Sequence, residues 1–287
     1  MELCYSEAYT KNYIEGNVYA ITGAGGGFGR EVALEILKMG GMVVVNDNIE
    51  ERLNETMQLI QEQGKSDKAE AVLGDVADIE VNKNMVTRAV EKFGKLDCFW
   101  ANAGIMPHAN IADHEKALDA WVACIDTLMK GCLHGICASY DQFKAQGYGH
   151  FMVTSSVAGN WSAPVTGVYS GCKRAVRYLT HCLRVENPGL IKTTIINPTG
   201  VATTNLFSTM INPVTDNITQ INNERMSAKL EKLKSGEAPD LANIDSPQYM
   251  TINTEDLGRS IMYALNQPRG VCIGEITVRC TNEDLIC

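Results

Sequence analysis

The 287-residue sequence has no apolar run long enough to span a membrane. Its hydrophobic stretches are broken by polar residues well short of the ~20 that a spanning helix requires. It also lacks a basic patch. Lysine and arginine total 25 against 34 aspartates and glutamates, giving a formal charge of −9 and an isoelectric point near 5.1. That balance excludes a polyanionic nucleic acid as the expected partner. No secretion leader is evident, since 1–16 holds Glu2, Glu7 and several tyrosines without an apolar core. The ten cysteines are therefore expected as free thiols in a reducing cytoplasm, not as a disulfide framework. Cys98, Cys124, Cys137, Cys172 and Cys182 fall in segments that read as core helices and strands. A metal spacing is missing too. Cys132, His134 and Cys137 sit at offsets of two and five, on different faces of one helix, so no metal site is expected. Internal repeats and low-complexity tracts are absent.

What is present is an alternation of two periods. Short β-rich runs occupy Val18–Ile21, Met42–Val45, Ala69–Leu73, Asp97–Trp100, His150–Thr154, Ile191–Ile196 and Glu275–Val278. Longer helical periods lie between them, at Phe28–Met39, Glu50–Gln63, Ile79–Phe93, Trp121–Gln146 and Val168–Val185. Strands alternating with helices require crossover connections and hence a parallel sheet. The expectation is one α/β domain over 1–287, with a seven-stranded parallel sheet covered by helices on both faces. Two segments escape the pattern. Residues 1–16 read as an N-terminal arm that packs on the body or on a partner subunit, and 204–250 as a long polar substrate-binding loop or lid.

The first strand runs into Thr22-Gly23-Ala24-Gly25-Gly26-Gly27-Phe28-Gly29 and then a helix. Glycines there permit a tight turn and close approach of a pyrophosphate, and the helix start offers unpaired N–H groups and partial positive charge. Asp47 ends the second strand, 18 residues beyond Gly29, near the ~20 expected of a carboxylate that takes the ribose hydroxyls. It would repel the 2′-phosphate of NADP, and its neighbours Asn46 and Asn48 are neutral, so NAD(H) is the expected cofactor. Arg30 reads as a surface residue of the following helix. Asp75 and Val76 follow the third strand and Asn102, Ala103 and Gly104 the fourth, at the strand ends where such sheets bind ligands.

The fifth strand leads to Ser155-Ser156. Tyr169 follows Ser156 by thirteen residues, and Lys173 comes four later on the same helical face. A free tyrosine titrates near about 10, too high for a base at neutral pH. A nearby ammonium and an oxidised nicotinamide would both favour the phenolate. Ser156 would hold the substrate oxygen against the tyrosine hydroxyl.

These residues together resemble the short-chain dehydrogenase/reductase family. Its Thr-Gly-x-x-x-Gly-x-Gly falls on Thr22, Gly23, Gly27 and Gly29, its Asn-Ala-Gly on Asn102, Ala103 and Gly104, and its Ser and Tyr-x-x-x-Lys on Ser156, Tyr169 and Lys173. The resemblance runs over about 17–203 and implies a Rossmann fold, hydride transfer between a nicotinamide and an alcohol or ketone carbon, and a homotetramer (or homodimer). Apolar positions beyond one stripe on Trp121–Gln146 and Val168–Val185 suit a subunit interface. The sequence departs from the family twice. Leu128 stands where the family carries an asparagine, which implies an altered proton relay. Thr199 takes the glycine place after Pro198, leaving Val201 and Thr203 toward the nicotinamide. The expected substrate wall is Met106, Pro107, Trp161, Pro164, Phe207 and Met210, apolar enough for a small hydrophobic alcohol or ketone. The long loop beside it is similar to that of hydroxysteroid dehydrogenases. A terpene or other cyclic alcohol is the alternative substrate, and a non-catalytic NAD-binding regulator the alternative function.

Overall fold

The computed structural model describes residues 10–161, 164–201, 206 and 224–282. Seven strands form one parallel sheet in the order β3-β2-β1-β4-β5-β6-β7. They are β1 Val18–Ile21, β2 Met42–Asp47, β3 Ala69–Leu73, β4 Cys98–Ala101, β5 Gly149–Thr154, β6 Ile191–Pro198 and β7 Glu275–Val278. The order reverses at β1, whose neighbours are β2 and β4, so a crevice opens between the loops that leave β1 and β4.

Alternation along each strand sends successive side chains to opposite faces. Tyr19, Ile21, Val43, Val45 and Trp100 meet helices α1 (Gly27–Lys38), α2 (Glu50–Glu62) and a C-terminal helix at Thr254–Leu265 on one face. Val18, Ala20, Val44, Phe99 and Phe151 meet α3 (Ile79–Phe93) and two helices at Gly131–Gln146 and Gly167–Glu186 on the other. Burial of each such side chain contributes roughly 1.5–3 kcal/mol. The central strands β1 and β4 are covered on both faces and read as continuous apolar runs, whereas the edge strands β3 and β7 stay partly exposed.

The long helical period is three elements in one rod: α4 (His114–Ile125), a π-helical turn at Asp126–Lys130, and α5 (Gly131–Gln146). The rod therefore starts seven residues before Trp121, because α4 carries many exposed polar residues that blur its period. α6 is Gly167–Glu186.

The described part of the arm packs on the body. Ile14 is fully buried, the Tyr13 N–H donates to Asn266 at 2.6 Å, and Asn12 Nδ2 donates to the Met39 carbonyl at 2.8 Å. Within the predicted lid, α7 covers Glu224–Ser235, so that stretch is helical where a loop was expected. Its Arg, Met, Ala, Lys, Leu and Glu residues favour a helix although its polarity reads as loop. Lys229 Nζ fastens it to Asn282, with 2.8 Å to the side-chain oxygen. α8, Thr254–Leu265, begins in a capping box of Asn253 and Asp256, a signal present in the sequence but not read there. Cys98, Cys124 and Cys172 are buried as expected, whereas Cys137 and Cys182 are exposed on the outer faces of their helices. No described helix is long and apolar enough to cross a membrane, and no group of metal-binding side chains converges among the described residues.

Candidate active site

The glycine loop is built by close approach. Gly23 has a left-handed φ of 63°, and a Cβ there would lie 2.7 Å from the Ala103 Cα. A Cβ on Gly25 would lie 2.6 Å from Asp47 Oδ2. Only glycine fits either place. Asp47 is buried at the end of β2, where Oδ2 accepts from the Gly25 N–H at 3.0 Å and Oδ1 from the Ile49 N–H at 3.0 Å. Each oxygen keeps a lone pair, so the carboxylate both shapes the loop and can still accept from a diol. α1 starts at Gly27 with no side-chain cap and no acidic residue in its first turn. The first turns of α3 and α8 are instead capped by Asp78 and Asn253. An uncapped, glycine-flanked helix start fits a pyrophosphate. The Phe28 ring at this helix start is stacked on Trp100, with centroids 6.3 Å apart.

One cation stands at this corner and a second arginine is rooted beside it, which the neutral neighbours of Asp47 did not reveal. Arg30 is not a surface residue. Its guanidinium donates to the Gly25 carbonyl, to Thr56 Oγ1 at 2.9 Å, and to Glu55 at 2.8 Å. Arg52 is half-buried, and its Cβ lies 2.9 Å from where a Gly25 Cβ would be.

Asn102 staples the crevice. Its amide donates to the Thr22 and Gly23 carbonyls at 3.0 and 3.2 Å, and its Oδ1 accepts from Thr154 Oγ1 at 2.9 Å. Thr22 Oγ1 in turn accepts from the Asn102 and Ala103 N–H groups at 2.9 and 3.0 Å. The expected floor is thus a fully bonded clamp. Asp75 caps its own turn by accepting from the Ala77 N–H at 2.9 Å, and Val76 is buried against the backbone of Gly131. Pro198 ends β6, and Val201 bridges Ile252. Thr203, Phe207 and Met210 lie outside the described residues.

Ser156, Tyr169 and Lys173 are brought together as the spacing predicts. All three are buried, with the Ser156 side chain within reach of the Tyr169 hydroxyl. Ser156 Oγ also accepts from the Ala158 N–H at 3.1 Å, which fixes its rotamer. Lys173 Nζ donates to the Thr154 carbonyl at 2.7 Å and lies 5.6 Å from the Tyr169 ring centroid. Ser155 Oγ donates to the Lys173 carbonyl at 2.9 Å, tying α6 to the end of β5. Thr154 is the residue that sequence reading missed. Its hydroxyl joins Trp100 and Asn102 while its carbonyl holds the lysine, so one strand-end threonine links both halves of the crevice.

Burial dominates the electrostatics of both groups. Burial holds the Tyr169 hydroxyl well above the ordinary tyrosine range, and the Ser156 bond offsets this in part. Burial pushes Lys173 itself down to about 8, so it remains largely protonated at neutral pH. Leu128 contributes to that dry setting: it is buried, and both its Cδ2 and Lys173 Nζ crowd the Gly104 backbone. Behind the lysine lies a cavity of about 10 Å³, lined by residues that include Thr127, Leu128, Gly131, Cys132, Thr154 and Lys173. It has room for one water and adjoins the π-helical turn.

Of the expected substrate wall, Met106 is buried beside Tyr169, with Leu128, Cys124 and Cys172 completing the cluster. The Pro107 carbonyl accepts from the Trp121 indole at 3.2 Å. Trp161 and Pro164 are exposed instead of packed there. Asn160 is taken up by a hydrogen bond from Arg177, which is itself paired with Glu275 at 2.8 Å.

Comparison with known proteins agrees with this geometry. Residues 17–212 match the short chain dehydrogenase family, and the chain belongs to it. An uncharacterized oxidoreductase of Listeria monocytogenes is 33% identical over 273 residues, covering 94% of this chain and 98% of that one. An uncharacterized oxidoreductase of Thermotoga maritima is 38% identical over 60% of this chain and 66% of its own. Among solved structures, an alcohol dehydrogenase from Thermococcus sibiricus complexed with 5-hydroxy-NADP superimposes with a TM-score of 0.72 at 21% identity, over 93% of this chain and 97% of that one. A short chain dehydrogenase/reductase from Burkholderia phymatum in complex with NAD superimposes with a TM-score of 0.71 at 23% identity, over 92% and 89%. The protein is an oxidoreductase of this family, with its Rossmann fold.

Proposed function

We propose that the protein interconverts a hydrophobic secondary alcohol and its ketone with NAD(H), and that a hydroxysteroid is its substrate class. The observation that carries the reaction is the buried Ser156–Tyr169–Lys173 group beside an apolar cluster and next to the glycine loop. A nicotinamide dinucleotide, when bound, supplies or takes up the hydride. The chain does the rest. Ser156 holds the substrate oxygen, and Tyr169 hands a proton to it or removes one. Burial keeps Tyr169 as the neutral phenol, the form that protonates a ketone oxygen. Lys173, held by the Thr154 carbonyl, fixes a positive charge near the phenol ring, and a water in the cavity behind it continues the proton path that Leu128 cannot.

NAD preference rests on Asp47, whose carboxylate faces the loop that would hold the ribose. Arg52 at the same corner supports a second reading, in which NADP(H) is accepted as well. We further propose a homotetramer. Leu118, Val122, Ile125, Met129 and Leu133 form an exposed apolar stripe along the α4–α5 rod that a second copy would cover.

The test is a panel of steroid, terpene and simple cyclic ketones, with NADH and NADPH oxidation followed by absorbance. Turnover of steroid ketones with NADH is expected. Turnover confined to terpene or small cyclic ketones would replace the substrate class, and cofactor binding without any turnover would favour a regulator. Light scattering reads the oligomer, and a monomer would refute the tetramer.

A further inference from the structure

His108 lies in the loop after β4 and is 6% exposed. Its ring packs edge-on against the Tyr169 ring, with centroids 5.5 Å apart and planes at 72°. Both ring nitrogens are shut off from solvent and have no hydrogen-bond partner among the described residues. Folds rarely leave such a group unpaired, because desolvating it without a bond is costly. This protein satisfies its other deeply buried histidine: His150 Nε2 bonds Thr194 Oγ1 at 2.8 Å. His108 is the exception, and it stands at the reaction centre.

The ring is held there by its surroundings. The His108 N–H donates to the Met106 carbonyl at 2.9 Å, the Ala109 N–H to the Val165 carbonyl at 3.1 Å, and the Trp121 indole to the Pro107 carbonyl. Val165 adopts φ 64°, a left-handed conformation seldom tolerated by a β-branched residue. Strain of this kind persists where the surroundings over-determine it, and it clusters at ligand sites. Burial keeps the imidazole neutral, with its pKa lowered to about 4. A neutral imidazole donates from one nitrogen and accepts at the other. It therefore suits a hydroxyl or carbonyl oxygen and offers no charge to an anion.

Resting on the reaction proposed above, we propose that His108 determines specificity by hydrogen-bonding a second oxygen of the substrate, carried on the carbon next to the reacting one. The substrate class is then an α-hydroxy ketone and the corresponding vicinal diol, in preference to a plain ketone. The two rings pack with centroids 5.5 Å apart, so an oxygen bonded to the imidazole is placed on a carbon close to the carbonyl held at Tyr169. A site built to bond such an oxygen discriminates against an analogue lacking it, because the buried imidazole would stay unpaired.

The experiment compares 1-tetralone with 2-hydroxy-1-tetralone, using wild type, H108F and H108Q with NADH and NADPH. The ratio of kcat/KM for hydroxy ketone over plain ketone is expected to fall about tenfold or more in H108F, which keeps a flat ring and loses both nitrogens. H108Q, which keeps a donor and an acceptor, is expected to retain more of the ratio. The pH profile should not move, as it would if His108 acted by tuning Tyr169. An unchanged ratio in H108F overturns the proposal. If H108F fails to fold, the H108Q ratio is compared with that of H108L, with the same two outcomes. If wild type reduces neither tetralone, the reaction itself is judged on the ketone panel above. His108 is then judged by the imidazole nitrogen resonances of labelled protein with cofactor present. A shift with hydroxytetralone and none with tetralone supports the proposal, and no shift with either overturns it.

Discussion

The crevice has two halves that treat polar groups in opposite ways. In the cofactor half, at the ends of β1 and β2, the polar side chains are bonded to the backbone. Asp47 is held by two N–H groups, Thr22 by two more, and Asn102 uses its amide nitrogen on two carbonyls and its oxygen on Thr154. In the chemical half, around α6 and the loop after β4, groups are buried ahead of their partners. His108 has none among the described residues, Tyr169 and Lys173 are shifted by burial, and Val165 is strained. The contrast separates two tasks. A site for a shared cofactor is a rigid, self-satisfied mould, whereas a site for chemistry stores unfavourable terms that a ligand relieves.

The comparison breaks first at Tyr169. Y169F should lower kcat by about 10³-fold, within the range for loss of an acid–base group, while cofactor affinity stays within about twofold. A variant with near wild-type kcat would remove Tyr169 from the mechanism. Two valines test the strain directly. V43G, at a fully buried position of β2 in the cofactor half, should cost about 3 kcal/mol or more through lost burial and added chain entropy. V165G loses a comparable side chain but relieves the left-handed backbone, so its cost should stay within about 1 kcal/mol. Equal losses in denaturant melts would show that Val165 carries no strain.

D47A should reduce the NADH-over-NADPH preference in kcat/KM by about tenfold, and removing both backbone bonds should cost about 1–2 kcal/mol of stability. Equal use of the two cofactors by wild type would instead give the corner to Arg52. The smallest effect is expected at Leu128. Lys173 has a folded pKa of about 8, below its ordinary 10.5. As pH rises between these values the unfolded state binds the extra proton, so this group adds stability toward alkaline pH. L128N places a polar group in the lysine's surroundings, so Lys173 should move back toward its ordinary value. The alkaline limb of the kcat/KM profile should then move to higher pH, and the alkaline rise in stability should shrink. A profile identical to wild type would show that Leu128 does not dry the lysine.

Much of this was legible in the chain itself. The seven strands fall within one or two residues of their sequence periods, because a sheet buried on both faces writes itself as short apolar runs. The glycine loop, Asp47, Ser156, Tyr169 and Lys173 could be read because each depends on local spacing along a turn or a helix. α7 was hidden by its polarity, the start of α4 by its mixed faces, and Arg30 by the assumption that a charge at a helix start faces water. Thr154 carries no motif of its own, since its role arises where β4, β5 and α6 meet.

The sequence by itself determined the alternating architecture, the dinucleotide loop and the order of the reacting side chains, since all three rest on neighbours within a few residues. Only the tertiary structure decided the condition of those side chains. Burial comes from distant segments closing over a site, and it is burial that raises the Tyr169 hydroxyl, weakens the hold of Lys173 on its proton, and leaves His108 without a partner among the described residues against the Tyr169 ring.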